Sequence, residues 1–119
     1  MNTKLEGSWG ETLAAEYLRS KKYEVISMGY RCRMGEIDII VRDKMYIVFV
    51  EVKTRKDSSH GRPREFVTGP KIARIRTTAE IWLQSHETDL QPRFDVIEVL
   101  APEGVRTKNP EIIHLEDAF

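Results

Sequence analysis

Residues 48–55 read "VFVEVKTR", and they set Glu51 and Lys53 on either side of Val52 in a run that otherwise looks like a buried β-strand. A charge costs several kcal/mol to bury unless something pairs with it. Either this face is wet, or the charges serve chemistry. Side chains alternate along a strand, so Phe49, Glu51, Lys53 and Arg55 share one face and Val48, Val50 and Val52 the other. In the preceding "GEIDIIV", Glu36, Asp38 and Ile40 share a face opposite Ile37, Ile39 and Val41. A hairpin turning at Asp43-Lys44 puts Asp38 across from Phe49 and makes Glu51 its diagonal neighbour, about 7–8 Å away or less at Cβ. Two carboxylates that close repel and stay partly protonated unless a cation lies between them. Mg²⁺ or Mn²⁺, which take oxygen ligands and keep several waters, would suit the pair. Lys53 would point at the same spot, able to orient a water or neutralise charge on a phosphate. Metal and lysine together suit in-line hydrolysis of a phosphodiester. The plain alternative is a wet antiparallel face with Glu and Lys paired across it, and spacing alone leaves both open.

The elements that must position these residues follow from pattern. Ser8 and Glu11 form a capping-box pair, and Leu13, Ala14, Tyr17 and Leu18 keep helical spacing, which predicts a helix over 9–21. "YEVISMGYR" predicts a short strand near 23–27 and a turn at Gly29. Apolar runs at 36–42 and 45–54 predict the hairpin. "KDSSHGRPREFVTGP" reads as a polar loop, long for a compact domain and of a length that often carries function. Ile72, Ile75, Ala79, Trp82 and Leu83 fall on one face of a second helix over 70–86. "RFDVIEVL" (93–100) alternates as a strand, and "EIIHL" is an optional last one. The order α-β-β-β-α-β predicts an α/β fold with a central mixed sheet flanked by helices.

The 119 residues suit one domain, 1–119, with a real core. No run approaches the ~18 apolar residues of a membrane helix. The start "MNTKLEGSWGE" lacks an apolar signal core, and the single Cys32 fits a reducing compartment, so a cytoplasmic location is expected. Net charge is zero, but residues 19–76 hold 15 Lys+Arg against 7 Asp+Glu and residues 77–119 hold 3 against 9. That asymmetry suggests a basic face for a polyanion.

Taken in order, "GSWGETLAAEYLRSKKYEVI", "GEIDIIV", "FVEVKTR", the lysine opening the second helix and "RFDVIEV" resemble the YraN-like family of uncharacterised bacterial proteins. That family is similar to archaeal Holliday junction resolvases, and the acid followed by E-x-K resembles the PD-(D/E)xK nuclease signature. The resemblance covers most of residues 7–100. It implies a restriction-endonuclease-like fold and metal-dependent cleavage of DNA, branched DNA included. It matches Asp38 and Glu51 to the metal-binding acids, Lys53 to the catalytic lysine, and Glu11 to an acid on the first helix that completes the metal site directly or through water. Ile37 stands where the signature is named for proline, and Lys71-Ile72 where members often have Lys-Gln.

Arg31, Arg33, Arg55, Lys56, Arg62, Arg64, Lys71, Arg74 and Arg76 flank the constellation and are candidate phosphate contacts, which bind DNA without reading its bases. Each alone is equally a solvated charge. Gly35 suits close backbone approach or a bend. Glu36 and Glu16 read as surface charges, Trp9 and Trp82 as core, and Cys32 as incidental. His60, His86 and His114 lack zinc-ligand spacing, though His60 lies where it could touch DNA. Three functions compete: a metal-dependent DNA endonuclease, a non-catalytic nucleic-acid-binding or repair-partner module on the same fold, and a structural adaptor that uses the acidic C-terminal segment. Cutting both strands of linear or branched DNA would need two copies, hence a homodimer.

Overall fold

The structure is a computed structural model and describes residues 3–57 and 68–119, with side chains from residue 7 onward. Helix α1 spans Thr3–Ser20, followed by strands β1 (Glu24–Cys32), β2 (Gly35–Arg42) and β3 (Tyr46–Arg55). Helix α2 (Gly69–Gln84), strand β4 (Gln91–Leu100), a 3₁₀ turn at Gly104–Arg106 and strand β5 (Glu111–Leu115) complete the chain. The five strands form one sheet in the order β1-β2-β3-β4-β5. All neighbours are antiparallel except β3 and β4, which run parallel and are joined through α2. Parallel neighbours need such a crossover, because a tight turn cannot return the chain to the same end. This is the α/β, restriction-endonuclease-like arrangement expected from the sequence, with "EIIHL" realised as a strand.

Each face of the sheet buries one helix. Ala14, Ala15 and Leu18 of α1 pack on Ile39, Val41, Val48, Val50, Ile97 and Val99. Ile75, Ala79 and Trp82 of α2 pack on Ile40, Ile47, Phe49 and Val96. Fully burying each such aliphatic side chain contributes about 1.5–3 kcal/mol. The expected alternation of β3 holds. On β2 it breaks at Asp38: Ile37 joins Ile40 in the α2-side core instead of siding with Ile39. Opposite this break, β1 pairing passes from Met28↔Ile39 to Tyr30↔Ile37, and Gly29 between them has φ +70°, a conformation that favours glycine. The turn expected at Gly29 is therefore an irregularity inside a longer β1, not its end.

Two further expectations are corrected. Helix α1 starts before Ser8, so Ser8 and Glu11 form no capping box; the Ser8 carbonyl instead accepts from Thr12 Oγ1 at 3.0 Å, as an interior residue. The β2–β3 turn lies one residue later than expected. Asp43 Oδ1 accepts from the Met45 and Tyr46 amides, and Asp43 N–H donates to the Tyr46 carbonyl, leaving Lys44 and Met45 as the loop. The register becomes Ile39↔Val50 through Arg42↔Ile47, two residues from the expected one. An even shift by itself leaves the paired side chains of Ile39–Arg42 and Ile47–Val50 on their expected faces. It moves Glu51 from a diagonal position to directly opposite Asp38.

Candidate active site

The β2–β3 ladder ends at Ile39↔Val50. One step further, no backbone carbonyl takes the next amide; the Val52 N–H donates to Asp38 Oδ2 at 2.8 Å. The strands part here, and Asp38 caps the opening with its carboxylate. Glu51 stands opposite, its side chain 7 % exposed. Lys53 Nζ lies 3.3 Å and Lys71 Nζ 2.5 Å from the same Glu51 oxygen, Oε1. Together with Glu11 of α1 and Glu36 of β2 these residues line a pocket of about 330 Å³ at the open end of the hairpin. Sequence-distant elements thus bring four acids and two lysines to one spot.

Two glycines let the helices come this close. At Gly10, buried in α1, a Cβ would overlap Thr54 Oγ1 of β3, so only glycine lets the helix lie against the strand with Glu11 at the pocket. At Gly35, where φ is +154°, a Cβ would meet Thr78 Oγ1 of α2 at 3.0 Å. Close backbone approach is therefore the role of Gly35. Gly10 carried no motif signal, and its function is visible only from the strand it touches. Thr68 caps α2, its Oγ1 accepting from the Lys71 amide at 3.4 Å. Lys71 thereby opens the helix at Glu51.

The electrostatics follow from crowding. Burial, then the Glu51 carboxylate, raises Asp38 from an ordinary carboxyl to about 8, although the Val52 N–H offsets part of this. Burial and the charges of Glu36 and Glu51 also raise Glu11, with Arg31 opposing. Burial and Lys71 lower Lys53, and Glu51 compensates only in part. Lys71 is opposed by burial, but its contact with Glu51 raises it on balance. Crowded carboxyl oxygens are the donor set a hard divalent cation prefers. Among the described residues no three His, Cys, Asp or Glu side chains converge as a ready-made cage. Asp38 and Glu51 would therefore be supplemented by water or substrate oxygens, with Glu11 behind them.

The candidate phosphate contacts separate. Arg31 pairs with Glu36 at 2.7 Å on the pocket wall, and exposed Arg33 follows in the β1–β2 turn. Arg74 is exposed on α2 beside Gly35. Lys56 lines a different hollow with Glu103 and Arg106. Arg55 lies nearer Glu98, a buried carboxylate without a hydrogen-bond partner among the described residues that burial pushes up and Arg55 pulls down. Arg76 stacks 4.8 Å over the Phe94 ring. His60, Arg62 and Arg64 lie outside the described residues. Trp9 and Trp82 are core, Trp82 edge-on to Phe49. Glu16 is exposed.

The model of the Uncharacterised protein family UPF0102 matches residues 10–99, three quarters of the chain and every acid and lysine of the pocket. The chain belongs to the UPF0102 family. A UPF0102 protein of Nocardia farcinica is 45% identical over 114 residues, covering 95% of this chain and 87% of that relative. One from Geotalea daltonii is 42% identical over 119 residues, covering 99% and 91%. One from Caldanaerobacter subterraneus is 41% identical over 121 residues, covering 100% and 98%. The UPF0102 match stops before β5, so it spans the pocket but not the strand that closes the sheet.

Proposed function

We propose that this UPF0102 chain is a metal-dependent endonuclease that hydrolyses DNA phosphodiester bonds, at branched DNA in particular. The carrying observation is the placement of Asp38 and Glu51 across the open end of one hairpin, with Lys53 on the same carboxylate. Asp38 and Glu51 would hold Mg²⁺ or Mn²⁺, which supplies Lewis-acid polarisation of the phosphate and a more acidic water. Asp38 is kept fixed by the Val52 amide. Glu51 is held by contacts from the Lys53 and Lys71 side chains to its Oε1. Lys53, which burial makes easier to deprotonate, orients the attacking water and, as the neutral amine, can take up its proton. The water oxygen bonds to phosphorus as the bond to one bridging oxygen breaks, and that oxygen leaves by taking a proton from a second water molecule. Arg31, Arg33 and Arg74 at the rim supply phosphate contacts that position DNA without selecting sequence. Double-strand or junction cleavage would use a homodimer, since one chain carries one such pocket among its described residues. A cytoplasmic setting fits the lone Cys32.

Incubation of the purified protein with Mg²⁺ or Mn²⁺ and with linear or four-way branched DNA tests this. Wild type should cut only with metal, and Asp38→Asn and Lys53→Met should each lose at least about a hundredfold in rate. Metal binding without cutting of any DNA would favour the binding-module alternative. Cutting that survives in Asp38→Asn would overturn the site.

A further inference from the structure

Glu51 Oε1 offers two lone pairs, and both lysines approach it. Lys71 is the closer, and its charge also acts on Asp38. Its ammonium thus occupies the Glu51 oxygen that a cation bound there would need. The two lysines are not equivalent. Lys53 is on the same strand as Glu51 and 21 % exposed, whereas Lys71 comes from the first turn of α2 and is 32 % exposed, at the pocket's edge. Its four-carbon stem can swing outward without moving any backbone.

We infer that Lys71 is an internal counter-ion that a divalent cation displaces from Glu51, and that displacement delivers its ammonium to the phosphate-binding rim. This rests on the metal reading above and adds an order of events to it. Without metal, Lys71 pairs with the buried Glu51 side chain and holds it in place. With metal, Glu51 has a stronger partner, and Lys71 is freed to meet a phosphate oxygen. The phosphate clamp is therefore armed only once the cation is bound.

Calorimetric titration with Mg²⁺ alone, without DNA, should show Lys71→Met binding at least about fivefold more tightly than wild type, because no internal cation competes. Removing a nearby positive charge would by itself shift affinity the same way, so a second measurement isolates displacement. In wild-type protein, amine acylation of Lys71, followed by peptide mass spectrometry, should accelerate severalfold on addition of Mg²⁺ and should not change in Asp38→Asn. Metal-free Lys71→Met should also melt at a lower temperature than wild type, with the loss reversed by Mg²⁺. Unchanged or weaker Mg²⁺ affinity in Lys71→Met, or metal-insensitive labelling of Lys71, overturns the exchange while leaving an Asp38-dependent metal site standing. If wild type and Lys71→Met both fail to bind Mg²⁺ or Mn²⁺, the metal reading fails and the exchange with it.

Discussion

At Asp38 two penalties act on one carboxyl group: burial, and the Glu51 charge across the hairpin. With a folded value near 8 against about 3.9 unfolded, the acid binds its proton more tightly folded than unfolded. Its favourable contribution is fully present below pH 4 and is lost as pH rises from 4 to 8. Asp38→Asn removes that loss and keeps an oxygen to accept from the Val52 amide. The metal-free variant should therefore be more stable than wild type by a few kcal/mol at pH 8, and close to it at pH 4, in paired urea melts. A wild type that holds its stability across this range would show that Asp38 ionises normally. The same variant should lose Mg²⁺ stabilisation, separating a better fold from a working site.

Helix α1 reaches the pocket because Gly10 allows it. Gly10→Ala must either push α1 off β3 or turn the Thr54 side chain. Thr54 is β-branched and its Cβ already lies 3.4 Å from the added carbon, so rotation has little room to relieve the overlap. Glycine is normally the poorer helix residue by about 1 kcal/mol, so an Ala replacement in an unconstrained helix would stabilise. Here the expected outcome is the reverse, a loss of about 1–3 kcal/mol from overpacking. Because Glu11 rides on the same turn, Mg²⁺ affinity should fall as well. Gly7→Ala, also within α1 but where a Cβ would meet nothing within 4 Å, is the control: it should stabilise by up to about 1 kcal/mol and leave Mg²⁺ affinity unchanged. Equal behaviour of the two variants in thermal melts would refute this account of the helix–strand contact.

Across the whole molecule, the far side of the sheet is tied by a second polar cluster that has no part in the pocket. Asp95, fully buried, accepts both Arg93 Nε and Nη2 at 2.9 Å, His114 Nε2 at 2.7 Å and the Asp117 amide at 3.0 Å. Tyr17 of α1 meets His114 Nδ1 at 3.1 Å, and Arg93 donates to Tyr23 at 2.6 Å. One carboxylate thereby joins α1, β4, β5 and the segment before β1. Burial would raise Asp95, but the bonds from His114, Arg93 and the Asp117 amide outweigh it and hold the acid below the usual range. Its stabilisation is present above pH ~4, the unfolded value, and is lost as pH falls through the lower folded one. Asp95→Asn should cost about 3–5 kcal/mol by stranding a buried Arg93. It should also flatten the acid limb of the pH–stability curve below pH ~4. A loss under 1 kcal/mol would mean that the cluster carries little of the fold.

Periodicity in the sequence was sufficient to identify the helices, the β-strands, the two faces of β3 and the acid-x-lysine candidates, because each depends on local backbone geometry repeated over a few residues. The hairpin register depended instead on how Asp43 folds back on its own backbone, a side-chain choice that Asp-Lys leaves ambiguous. The face assignment survived that error only because the shift was even. Glu11 had two readings, a cap partner of Ser8 and, by resemblance, a site acid; the earlier start of α1 removes the cap, and the lie of the helix on Thr54 brings Glu11 to the pocket. His114, assigned nothing by its spacing, proved to be the partner of an acid 19 residues away. Lys71 resembled any solvated charge at a helix start, and only the crossing of α2 over β3 set its ammonium on Glu51. Local patterns fix what each segment can become, whereas contacts between segments distant in sequence depend on packing, and that packing decided which charges share the pocket.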